Sequence, residues 1–304
     1  MRLGPAVTLA ALLAAGAAQA QDKAAAPGRP PTSAQVLEGT KAEDWRLLDP
    51  ASTLYMDVGG AAGGRVVIEL APHFAPRHVD NIRALARDGF FDGVAIVRVQ
   101  ENYVTQWGDP DNTKPIAPER KALAPEFTRK AAGLDFARLP DPDAYAPETG
   151  HSAGFPAARD PGTGEAWLVH CYAMVGAGRD MTADSGSGAE LYAMIGHAPR
   201  HLDRNMTLVG RVVQGMEHLS ALPRGTGALG FYEKPEQRVP VTRVRLAADL
   251  PAAERVELEA LRTDTAAFAA YVESRRNRRE EFFLTPLGGV DVCNVPLPVR
   301  PRKK

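Results

Sequence analysis

The chain has 304 residues, 44% hydrophobic and 24% charged, a balance that supports a buried core and excludes a chain disordered throughout. Its 36 Lys plus Arg against 37 Asp plus Glu leave a formal net charge of -1. No overall positive field draws the molecule to phosphate backbones, so nucleic acid is not expected as a partner.

At the N-terminus Arg2 precedes an Ala/Leu-rich run over 6–15 and the small-residue ending Ala18-Gln19-Ala20. This is the pattern of a secretory signal peptide over 1–20, cleaved after Ala20. The run is too short and too alanine-rich for a spanning helix, which needs about 20 strongly apolar residues. A periplasmic or secreted protein without a membrane span is therefore expected. Residues 21–44 follow as a linker rich in Ala, Pro, Gly and Lys, expected to be disordered.

The next segment, 65–70, puts Val66, Ile68 and Leu70 on one face and Arg65, Val67 and Glu69 on the other, as in a half-buried strand. With a strand over 54–58 and four glycines between, it forms a hairpin. Val79, Ile82, Leu85 and Ala86 then recur at helical spacing over 75–87, with Pro76 in the first turn and Gly89 past the end. Strands over 94–99 and 103–107 come next, rich in β-branched and aromatic residues. Residues 110–167 fill with Pro, Asp, Gly and Ala and show little periodicity, so they are expected as a long loop insertion. Further strands over 168–175, 191–195 and 206–213 flank a Gly/Ser/Asp-rich stretch, 176–188. Strands and turns around one early helix point to a mainly β fold, a barrel closed by a helix.

Near the C-terminus, Leu258, Leu261, Phe268 and Val272 share a helical face between 252 and 276, ending in Arg275, Arg276, Arg278 and Arg279. A helical extension over 250–304 is expected, the arginines complementing the helix dipole. Cys171 and Cys293 are the only cysteines. In an exported protein they form either one disulfide or two buried free thiols, and neither has a second metal ligand at finger-like spacing.

Three motifs do not survive their context. The glycines of 225–230 match a dinucleotide fingerprint by letters but are followed by Phe231 to Pro235 rather than a helix. His197 and His201 are spaced like a helical zinc pair, but Pro199 breaks the helix between them. Gly186-Ser187-Gly188 lacks the outer glycines of a nucleophile elbow.

The most informative stretch is 91–109, running Phe91-Asp92-Gly93, then Val97-Arg98-Val99, then Tyr103-Val104-Thr105-Gln106-Trp107-Gly108-Asp109. It resembles the cyclophilin signature, in which a Tyr-Asp-Gly turn leads to Phe-His-Arg-Val, an aromatic residue and Gln-Gly-Gly-Asp. A second block agrees in order: Gly188-Ala189-Glu190-Leu191-Tyr192 is similar to the family's Gly-Ser-Gln-Phe-Phe. His201-Leu202-Asp203 follows for its Trp-Leu-Asp, then Gly210-Arg211-Val212-Val213 for its closing strand. The resemblance runs over about 54–219. It implies a cyclophilin-like closed antiparallel β-barrel capped by helices over 45–249, with the insertion at 110–167 and a C-terminal helix beyond.

It also implies a peptidyl-prolyl cis/trans isomerase acting on Xaa-Pro bonds, in proline-containing peptides and in unfolded or assembling exported proteins. Arg98 and Gln106 stand at the catalytic positions, and Tyr103, Val104, Val175, Gly176, Glu190, Tyr192, His201 and Leu202 at substrate-binding ones. The chemistry makes sense without the family. Rotating a prolyl amide meets a barrier of about 18–20 kcal/mol, because resonance must be lost, and it needs a donor to the prolyl nitrogen and a dry pocket rather than a cofactor or metal. Arg98 is expected in an open groove on the barrel wall, where alternation places Val104 and Gln106 on one side. The chain departs from the pattern where Ile96-Val97 replaces Phe-His, Glu190 replaces Gln, His201 replaces Trp and Met206 replaces His. A second reading keeps the fold without turnover, as a binding module or periplasmic chaperone gripping clients with its insertion and C-terminal helix.

Overall fold

A computed structural model describes residues 30–61 and 63–302, so the expected signal peptide and the start of the expected linker, 21–29, lie outside the described residues. In chain order the strands are β1 (Trp45–Leu47), β2 (Thr53–Val58), β3 (Gly64–Leu70), β4 (Ala95–Val99), β5 (Val104–Gly108), β6 (Arg129–Lys130), β7 (Ala137–Arg138) and β8 (Glu148–Ser152). They continue with β9 (Phe155–Asp160), β10 (Glu165–Leu168), β11 (Met174–Ala177), β12 (Leu191–Met194), β13 (Leu208–Gln214), β14 (Val239–Leu246), β15 (Leu258–Leu261) and β16 (Val299–Pro301). The helices are α1 (Ser33–Glu38), α2 (Pro76–Arg87), α3 (Glu217–Ser220) and α4 (Ala266–Arg276).

Eight strands close a barrel in the order β11-β12-β5-β4-β14-β2-β3-β13, every pair antiparallel. The fold is mainly β and a closed barrel, as the texture of the chain implies. Inward residues alternate along each strand, Leu54 and Met56 on β2, Val66, Ile68 and Leu70 on β3, with Val79, Ile82 and Leu85 of α2 plugging one end of the same core. The helix starts where Pro76 can occupy a first turn. The carboxylate of Glu126, from the insertion, accepts the free N–H groups of Arg77 and His78 at 3.1 and 3.0 Å.

Four expectations fail. The insertion is not a structureless loop: it contains a five-stranded sheet, β6-β10-β9-β8-β7. Ala157, Ala158 and Ala166 are buried on a sheet covered on both faces, so no polar alternation marks its strands. The expected strand over 168–175 is instead the end of β10 and the start of β11, with Ala173 at a φ of 69° between them. The expected helix over 252–276 begins only at Ala266, where the Thr265 hydroxyl accepts the Phe268 N–H at 3.2 Å. Leu258 and Leu261 belong to β15, held between β1 and β16 from opposite ends of the chain. Part of the expected linker is also ordered. Residues 33–38 form α1 behind a Thr32/Gln35 capping box, and Ser33 bonds Ser274 of α4 across 2.9 Å.

N-terminal segment, insertion and C-terminal extension thus make one layer over the outer face of the barrel. Its core includes Leu139, Phe155, Trp167, Phe268 and Tyr271 together with Val104, Met174, Tyr192 and Met194 from the barrel's outside. A disulfide between Cys171 and Cys293 joins the two, which resolves the alternative left open by the sequence. The described residues contain no helix long and apolar enough to cross a membrane.

His151, on β8, is fully buried; it meets Phe268 edge to face at 5.1 Å, and its Nε2 bonds the Val295 carbonyl at 3.1 Å. Burial pushes its pKa down to about 4, and the Arg211 charge adds to that. Above its unfolded pKa, near 6.5, neither state binds the proton and stability is unaffected. Below that value only the unfolded chain binds it, so stability falls with pH until the folded pKa is reached. Denaturant titrations between pH 7 and pH 4 should show a loss of roughly 3 kcal/mol from this residue. In His151→Phe the slope should be shallower, and an identical slope would show that other groups carry it.

Candidate active site

Strand alternation alone would aim Arg98 into the barrel, because Ile96 on the same strand faces the core. The register between β4 and β5 slips there: Ile96 opposes Trp107, but Arg98 opposes Gln106. Val97 is the extra residue of a β-bulge, so Arg98 is turned to the outer face while Val99 returns to the core. On β5, Val104 and Gln106 share that outer face and Trp107 packs inside.

Arg98 is half-buried rather than in an open groove. Its Nε donates to the Leu229 carbonyl at 2.6 Å, Nη1 donates to Gln106 Oε1 at 3.0 Å, and Nη2 donates to Gln100 Oε1. The Tyr103 and Phe231 rings each stand 5.4 Å from the guanidinium carbon. Burial pushes the pKa of Arg98 down, with Tyr103 and Glu190 acting against it, and the group remains a cation. The Gln106 amide is a link in a chain: Oε1 accepts from Arg98 and Nε2 donates to the Glu190 carboxylate.

Six expected residues, Arg98, Tyr103, Val104, Gln106, Tyr192 and Leu202, line one cavity of about 130 Å³. That is below the roughly 300–1,000 Å³ of drug-sized sites, and it suits one small ring. Glu190 stands beside it through Gln106. Two others are not brought to it. Val175 is fully buried and faces the barrel core, and His201 is exposed on a turn and does not line the cavity. Gly176 is on the outer face but lies under Tyr192, where a Cβ would come within 2.3 Å of the phenol, so its role is to make room for that ring.

Gly178, Arg179 and Met206 complete the lining and were not among the expected site residues. Met206 alone had a signal, standing where the related pattern has His. The glycine-rich stretch 225–230 also contributes. Gly225 N–H bonds the Val99 carbonyl at 2.9 Å, Tyr232 N–H bonds the Val97 carbonyl at 2.9 Å, and the segment lies as a strap along β4. Gly230, at a φ of 79°, passes so close to Gln100 that a Cβ would meet it at 2.7 Å. This approach delivers the Leu229 carbonyl to Arg98.

The family model described as cyclophilin type peptidyl-prolyl cis-trans isomerase/CLD matches residues 53–246. A probable peptidyl-prolyl cis-trans isomerase of Brucella suis biovar 1 is 27% identical over 195 residues, 64% of this chain and 83% of that protein. Peptidyl-prolyl cis-trans isomerase B of Bacillus subtilis is 41% identical over a shorter stretch of 51 residues, 17% of this chain and 36% of that protein. Among solved structures, cyclophilin AquaCyp293 from Hirschia baltica superposes with a TM-score of 0.67 at 26% identity, covering 90% of this chain and 99% of that one.

Proposed function

This chain belongs to the cyclophilin type peptidyl-prolyl cis-trans isomerases, and from that premise we propose that Arg98 carries its isomerisation of Xaa-Pro bonds, in proteins exported from the cell. The observation that supports the role of Arg98 is its guanidinium, half-buried, in register with Gln106 and on the wall of a ring-sized cavity. A guanidinium has five donors; three are used internally, which leaves one N–H on each Nη for substrate. As the prolyl amide twists, its nitrogen turns pyramidal and gains a lone pair. A fixed cationic donor stabilises that form and not the planar ground state.

Tyr103, Val104, Tyr192, Leu202 and Met206 provide an apolar wall for the proline ring. Gln106 retains one amide hydrogen for a peptide carbonyl, since its other groups are bound to Arg98 and Glu190. An acceleration of about a thousandfold requires only ~4 kcal/mol of transition-state stabilisation. Exchange NMR on a short Ala-Pro peptide should show cis/trans interconversion accelerated at micromolar protein, with amide shifts centred on residues 98–106 and 202–206. Shifts confined to the added layer, or no acceleration, would refute the assignment of the site.

Export is supported by the signal-like pattern of 1–20 and by the disulfide, since such bonds persist in oxidising compartments. The mature protein isolated from periplasm or medium should begin at Gln21, and recovery of an uncleaved chain from the cytoplasm would count against it.

A further inference from the structure

Behind the proline pocket runs a chain of buried polar groups that the chemistry above does not use. The Tyr192 hydroxyl lies 3.3 Å from His170 Nε2, and His170 is wholly buried. On the other side of the ring, Nδ1 lies 2.8 Å from Asp203 Oδ1, which also accepts the His170 backbone N–H at 3.0 Å. A carboxylate only accepts, so Nδ1 carries the proton. Burial holds the ring pKa below its ordinary value, against the pull of Asp203, and the imidazole is neutral. Nε2 is then an acceptor and the tyrosine O–H donates to it.

The chain continues. Asp203 Oδ2 accepts from Arg200 Nε at 2.7 Å, and the two terminal nitrogens of Arg200 fork onto both oxygens of Asp143 at 2.9 Å each. Asp143 comes from the insertion, between β7 and β8, and the Arg200 and Asp143 side chains are both buried. Taking three charged groups out of water yields little net stability, so folding energy alone is a weak account of the network. Its position is more informative. One end carries Tyr192, and Leu202 sits in the turn between Arg200 and Asp203. Both residues wall the cavity.

We propose that Asp143, Arg200, Asp203 and His170 are positioning residues, a buried relay through which the inserted layer sets the wall of the proline pocket by holding Tyr192 and Leu202. This rests on reading the cavity as the proline site. The relay touches the wall and not Arg98, so it acts on binding of the ring and leaves the donor to the prolyl nitrogen unchanged. A phenylalanine at 192 would fill the same space, but it would leave the ring unanchored and His170 Nε2 without its donor.

The test is steady-state kinetics of the full chain on an Ala-Pro peptide, at a temperature where circular dichroism finds every variant folded. Tyr192→Phe and Asp143→Asn should each raise KM by about threefold to tenfold, as loss of a single anchoring hydrogen bond does, with kcat within about twofold. Because both act on one element, the double variant should be no worse than the weaker single. Lowered melting temperatures with unchanged KM would reduce the network to a structural prop and overturn the proposal. Leu202→Ala is the control for the site. If it raises KM while Tyr192→Phe and Asp143→Asn do not, the relay alone is wrong; if it too leaves KM unchanged, the cavity is not the proline site and both readings fall.

Discussion

Arg98→Ala should lower kcat/KM for an Ala-Pro peptide by at least tenfold and up to about a hundredfold, each factor of ten corresponding to about 1.4 kcal/mol of lost transition-state stabilisation. The loss should fall on kcat, because the donor to the prolyl nitrogen is engaged in the twisted state and not in the planar one. Stability should also change. A side chain in an open groove would cost within about 0.5 kcal/mol, but Arg98 is half-buried, bonds Leu229, Gln100 and Gln106, and lies between two rings. Its removal should cost about 1 kcal/mol, well short of unfolding the barrel. Arg98→Lys should restore little activity. An ammonium cannot bond Leu229 and Gln106 and still present a directed donor to substrate, as the planar fork does. If both variants keep wild-type turnover, the role given to Arg98 is wrong.

Glu69→Ala should be the most damaging change to stability among the buried ion pairs. Glu69, on β3, faces outward from the barrel yet is buried beneath the added layer. Arg211 of β13 donates to its Oε2 at 3.1 and 2.8 Å, and Arg46 of β1 approaches its Oε1 at 2.6 Å. Arg46 also bonds the Ala153 carbonyl of the insertion at 3.1 Å, so one carboxylate links barrel, N-terminal segment and insertion. Without it the Arg211 guanidinium remains buried and unpaired, a change that costs about 3–5 kcal/mol. For a chain of this size the melting temperature should fall by on the order of 10 °C. Glu69→Leu combined with Arg211→Met removes both charges and should regain most of that loss, since apolar replacement of a buried pair is often neutral. If Glu69→Ala melts within a degree or two of wild type, the pair does not hold the layers together.

Glu69 also shows where a reading of the chain stops. Residues 65–70 alternate as a strand with one wet face, yet Val67 is as buried as Val66 because the added layer covers the far side. Val67 packs there with Leu258 and Ala260 of β15, far along the chain, and local periodicity carries no trace of them.

The sequence by itself determined the barrel. Its alternating strands, the proline-started helix over 76–87 and the order of Arg98, Tyr103, Gln106, Tyr192 and Leu202 are all local patterns. Burial against a single core imposes such patterns directly on the chain. Only the tertiary structure decided which way Arg98 points, since a one-residue bulge reverses what alternation implies. It decided too that the glycine strap of 225–230 holds Arg98, that Val175 and His201 stand outside the cavity, that the insertion is a sheet packed against both chain ends, and that the C-terminal extension is tied to Cys171 by the disulfide. The physical reason is common to all of these. Register, strapping and layer packing are settled by contacts between distant segments, whose closure is compensated only once the whole core is assembled.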